Sequence, residues 1–70
     1  MRIGIVVPKY THNSVERNRL KRRLRELLRR TVLPLALPLD VVVRARREGY
    51  AATFDDLARD VEQIRARLAS

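Results

Sequence analysis

The chain predicts an α+β fold, a small two-layer α/β sandwich of order β-α-β-α with an incomplete sheet. Three observations carry that expectation. Two β-branched runs, around Ile3–Val7 and Val41–Val43, read as strands. Between them Leu20, Leu24, Leu27 and Leu28 recur at i, i+4, i+7 and i+8, one apolar stripe on a 3.6-residue period. After the second run, Phe54, Leu57, Val61, Ile64 and Leu68 make a second seam with the same period.

Each element has its own local reason. The first strand is expected over residues 2–7, ended by Pro8, which has no amide to give a ladder. Gly4 inside it suggests a close approach of another backbone, or a bulge. Lys9-Tyr10-Thr11-His12 is a polar connection, with His12 read as an exposed loop residue. A helix is expected over residues 14–31. Asn13 suits its N-cap, and Glu16 can reach back to the cap's N–H as in a capping box. Pro34 disfavours helix at Leu33, so the helix should fade near Thr31–Val32. Leu33 to Leu39, punctuated by Pro34 and Pro38, reads as an extended connection packed over the core. The second strand is expected over residues 40–46, with the continuous valine run typical of strands covered on both faces. Arg47 to Tyr50 is a turn. Thr53 caps a last helix over residues 54–68, with Asp55 and Asp56 in the first turn where the helix dipole favours acid.

Seventy residues make one small domain at most. There is no cysteine and only one histidine, so neither a disulfide nor a Cys/His zinc site is available, and a cytoplasmic protein is the default. The apolar N-terminal run is too short for a signal peptide or a membrane span. No Ser/His/Asp or Cys/His set points to a catalytic centre, and the chain shows no cofactor motif. Asp55, Asp56, Asp60 and Glu62 fall on the outer face of the last helix and read as solvated surface.

Charge is the informative feature. The net charge is +8, and Arg17 to Arg30 alone holds eight Lys/Arg against one Glu, a local +7. With Leu20 at zero, the four leucines span an arc of about 100°. Asn18, Arg22, Arg25 and Arg29 lie at roughly 140–200°, on the opposite side. Arg17 and Lys21 flank one edge of the stripe; Arg19, Arg23 and Arg30 flank the other. Such a density of like charge weakens a helix through repulsion at i, i+3 and i+4, so an external anion is expected to neutralise it. Leucines without Trp or Phe argue against a lipid surface, and folded RNA offers the denser phosphate lattice. The expected RNA-contact set is Arg17, Asn18, Arg19, Lys21, Arg22, Arg25 and Arg29. Asn18, uncharged amid arginines, suits a base edge or a 2′-OH. Lys9 and Tyr10 suit a single strand through charge and stacking, or are simply a structural loop. Two strands do not make a stable sheet alone, so either further strands come from a second copy, by self-association through an exposed sheet edge, or the chain is part of a longer domain. The rival reading is a stand-alone nucleic-acid-binding module, possibly dimeric.

Ser14 to Glu26 resembles the signature helix of the bacterial ribonuclease P protein component. That family's helix carries an R-N-R core, then Lys-Arg, then Arg-Glu, found here as Arg17-Asn18-Arg19, Lys21-Arg22 and Arg25-Glu26. Val7-Pro8-Lys9 and the run from Asp40 to Arg46 resemble the family's flanking strands. The resemblance covers nearly the whole chain, beginning at what looks like the family's third strand, without its N-terminal helix and first two strands. His12 stands where the family commonly has Gly, and Tyr10 where many members have Lys. The resemblance implies a left-handed βαβ crossover (ribosomal protein S5 domain 2-like), against the usual right-handed rule. It implies partnership with ribonuclease P RNA and precursor tRNA. Lys9 and Tyr10 then become the possible leader contacts. It also implies that Mg²⁺ and cleavage belong to the RNA subunit, with no cofactor bound by the protein alone.

Overall fold

The computed structural model describes residues 1–70. In chain order the elements are β1 (Ile3–Val6), α1 (Ser14–Thr31), a 3-10 turn at Leu33–Leu35, β2 (Val41–Arg44), a second 3-10 helix at Arg47–Tyr50, and α2 (Phe54–Ala69). β1 and β2 pair in parallel, Ile3 opposite Val41 through Val6 opposite Arg44. A parallel pair requires a crossover, and α1 supplies it. The fold is a small α+β arrangement of two parallel strands and two helices with an incomplete, open sheet.

The core is apolar throughout: Val7, Leu20, Leu24, Leu27, Leu28, Val32, Ala45, Leu57 and Val61. Ile3, Ile5 and Val43 pack against it from one face of the sheet. On the other face Val6 is 45% and Val42 71% exposed. The valine run of β2 is therefore covered on one face, not both. The strand alternates inward and outward because only one layer of helix exists to bury it.

Both strands are shorter than their residue pattern. Pairing runs only as far as the partner does, from Val41 N–H donating to the Arg2 carbonyl (2.8 Å) to Ala45 N–H donating to the Val6 carbonyl (2.9 Å). Asp40 is a side-chain cap: its Oδ1 accepts from the Arg2 N–H at 3.1 Å. Gly4 marks neither a bulge nor a close backbone approach. The register through it is unbroken, and a Cβ there would stand 3.7 Å from Val42 Cγ2, an ordinary contact.

The Leu33–Leu39 segment is not an extended strap over the core. Pro34 opens a 3-10 turn, Ala36 is left-handed (φ 50°), and none of these residues is buried; Leu33 is 41% and Leu39 44% exposed. The chain curls because local bonds satisfy its carbonyls: Leu35 N–H to Val32 O and Ala36 N–H to Leu33 O, both 3.0 Å. The core position falls to Val32, fully buried at the end of α1. Arg47–Tyr50 is likewise a turn of 3-10 helix. In α2, Leu57 and Val61 are buried and Ile64 and Leu68 half-buried, while Phe54, at the first helical position, is 45% exposed. No helix is long and apolar enough to cross a membrane.

Candidate nucleic-acid interface

α1 begins at a closed capping box. Asn13 is extended (φ −84°, ψ 175°), and its Oδ1 accepts from the Glu16 N–H at 2.9 Å. Glu16 Oε1 accepts in return from the Asn13 N–H, at a long 3.5 Å. Its other oxygen, Oε2, lies 2.8 Å from His12 Nδ1. The hydrogen bond with His12 first, then that from the Asn13 amide, holds the Glu16 carboxyl below its ordinary range.

From this start the helix sorts its residues by face. Leu20, Leu24, Leu27 and Leu28 are buried. Asn18, Arg22, Arg25 and Arg29 are all exposed, and their spacing of four, three and four residues sets them in one ridge about 16 Å long. Arg17 and Lys21 are half-buried along one edge; Arg19, Arg23 and Arg30 are exposed along the other. Of the eight cations between Arg17 and Arg30, only Arg30 has an ion-pair partner in the chain, Glu26 at 2.8 Å. The structure thus sets four of the seven expected contact residues on one line, Arg17 and Lys21 to one side of it and Arg19 to the other.

Lys9 and Tyr10 are exposed just before the cap, and Tyr10 adopts a left-handed backbone (φ 51°), a conformation that costs a non-glycine residue about 1–2 kcal/mol. His12 is not the exposed loop residue its polar neighbours suggest. Its ring stacks on Tyr50 with centroids 3.8 Å apart and planes 4° off parallel. The Tyr50 hydroxyl donates to the Pro8 carbonyl at 2.6 Å. Tyr10 meets Tyr50 edge-on at 6.4 Å, and the Arg47 guanidinium carbon lies 4.9 Å from the Tyr10 ring centre. This cluster joins residues about forty positions apart, so no local pattern reveals it. The available signal was compositional, since neither tyrosine belongs to an apolar stripe. Beside it, Arg19 and Arg23 border a cavity of about 90 Å³ with Glu16, Leu20, Gly49 and Tyr50.

A larger groove of about 800 Å³ runs between the free edge of β2 and α2, over a floor that includes Val43, Leu57, Ile64 and Leu68. Two of the four acids of α2 are engaged locally, Asp56 with Thr53 and Arg59 and Glu62 with Arg65.

Fold and site together define a small α+β domain that buries one face of a cationic helix and leaves the other open. Residues 1–69 match the family described as Ribonuclease P, and the chain belongs to that family. It is similar to the ribonuclease P protein component of Thermus oshimai, 50% identical over 64 residues, which is 90% of this chain and 42% of that protein. It is also similar to those of Kocuria rhizophila (49% over 59 residues; 84% of this chain, 52% of the relative) and a Nocardioides species (41% over 69 residues; 99% and 59%). The chain thus spans about half the length of the curated relatives it matches. No solved structure matches it.

Proposed function

We propose that this chain is the RNA-gripping part of a ribonuclease P protein component, acting in the cytoplasm beside a catalytic RNA that removes the 5′ leader of precursor tRNA. One observation carries the reading: α1 is anchored by four buried leucines while seven of its eight cations have no partner in the chain. A folded RNA supplies what those cations lack, with arginine forking onto phosphate or stacking on a splayed base. The name carried by its relatives, ribonuclease P protein component, supports the same assignment.

In this reading the ridge Asn18, Arg22, Arg25 and Arg29 meets the RNA first, and Arg17, Arg19 and Lys21 close on it from the edges. Lys9 and Tyr10 reach toward the single-stranded leader. Cleavage and Mg²⁺ remain with the RNA subunit, the chain screening repulsion between ribonuclease P RNA and substrate. With about six cations paired to phosphates, log K should fall against log salt with a slope of about −4 to −5.

The test is reconstitution: a bacterial ribonuclease P RNA at low Mg²⁺ with precursor tRNA, with and without this chain. Restored cleavage is the expected result. Tight, salt-sensitive RNA binding without cleavage would mean that the helix grips RNA but that this chain does not by itself support leader removal, as a fragment of a longer protein or as the rival basic module. The two-stranded sheet leaves its outer edges unpaired, which supports self-association, and light scattering across the same titration reports it.

A further inference from the structure

The seven residues between β1 and α1 contain both proposed leader contacts, and Tyr10 there adopts a left-handed backbone that a non-glycine residue takes up only at a cost. Here it is tied at successive points. The His12 N–H donates to the Lys9 carbonyl at 2.8 Å, closing the turn that carries Tyr10. The Tyr50 hydroxyl holds the Pro8 carbonyl, and the Tyr50 ring carries the His12 ring. His12 then bonds Glu16, the same carboxylate that closes the capping box of α1. One residue thirty-eight positions beyond His12 thereby fixes the loop, and one imidazole links that loop to the first turn of the cationic helix.

We propose that His12 and Tyr50 are positioning residues for RNA: they hold the Lys9–Tyr10 turn at a set angle to the arginine ridge. A strand leaving the helix-bound RNA then meets Tyr10 and Arg47 without having to order the turn. Arg47 belongs to the same unit, since it leaves the 3-10 helix that Tyr50 ends and lies over the Tyr10 ring. The inference rests on the reading of Lys9 and Tyr10 as contacts to a single strand. Its physical content is preorganisation, in which an ordering cost met in the free protein is not charged again on binding.

The chain offers a direct probe. It has two tyrosines and no tryptophan, so its intrinsic emission reports on this cluster alone. The measurement is affinity and tyrosine emission with a hairpin RNA that carries, or lacks, a short unpaired 5′ extension. The unsubstituted chain should bind the extended RNA more tightly and with greater quenching. His12→Gly should lose roughly three- to tenfold of that gain, the size expected from freeing one or two ordered side chains. His12→Phe, which can still stack on Tyr50, should recover part of it, and Tyr50→Phe, which keeps the ring but frees Pro8, should fall between. Affinity for the plain hairpin, and its salt dependence, should stay unchanged, showing that α1 is intact in each variant. A gain that survives His12→Gly overturns this inference alone. No gain from the extension in the unsubstituted chain overturns both it and the reading of Lys9 and Tyr10.

Discussion

α1 and α2 are built alike and used differently. Each starts at a side-chain capping box, Asn13 with Glu16 and Thr53 with Asp56, and each buries a stripe of aliphatic residues in the shared core. They part on the outer face. α2 carries acids and arginines at i, i+3 spacing and pairs them within itself, Asp56 with Arg59 and Glu62 with Arg65. α1 sets two acids against eight cations: Glu16 is taken up at the cap and by His12, and Glu26 pairs only Arg30. A helix that neutralises its own surface is a scaffold. One that leaves it unneutralised is held in place by its buried face and completed by something else.

The largest effect is expected at the buried face of α1. Leu28 is 1% exposed, and Leu28→Ala should cost about 2–5 kcal/mol. A chain of this length has on the order of 4–10 kcal/mol in all, so a urea titration should show most of the stability gone. Val42→Ala on the open sheet face should stay within about 0.5 kcal/mol. A mild effect at Leu28 would mean that the leucine stripe is not what anchors α1.

The outer faces come next. Alanine at both Arg22 and Arg25 should weaken RNA binding and flatten the salt slope by about 1.4–1.8, the share of two phosphate contacts. Alanine at Arg59 and Arg65 removes the same formal charge from α2, where both arginines already serve acids. That pair should leave the slope where it was. Equal changes in the two double variants would show that RNA responds to net charge rather than to the α1 ridge.

Much of this division was legible before the structure, because it lives in periodicity. Leucine spacing and cap residues are local, so the extent of α1, its buried stripe and its exposed ridge follow from neighbours within one or two turns. What was not legible depends on distant partners. The length of β2 is set by where β1 stops, and the exposure of Val42 by the absence of a second covering layer. Proline in the Leu33–Leu39 segment correctly ended the helix, but its apolar composition wrongly suggested burial, since Val32 had already filled the core position. His12 read as a loop residue because Tyr50, thirty-eight positions away, is what makes it a structural one.

The two capping boxes give the finest test, because the same motif is supported differently. Asp56 is held below its ordinary 3.8 first by the Thr53 amide and then by the Thr53 hydroxyl, all within α2's own cap. Glu16 is held below its ordinary 4.5 first by His12, which the Tyr50 ring carries, and only then by its cap residue. A carboxylate with a depressed folded-state value stabilises the fold fully above its unfolded value and loses that contribution as pH falls through the folded one. The α1 contribution should therefore begin to fade near pH 4.5 and the α2 contribution near 3.8. In thermal melts across the acid range, Glu16→Gln should remove a decline that begins near pH 4.5 and Asp56→Asn one that begins near 3.8. His12→Gly should change the Glu16 part and leave the Asp56 part untouched. If His12→Gly moves neither, the bond between His12 and Glu16 carries no weight in solution, and the start of α1 is held by Asn13 alone, just as α2 is held by Thr53.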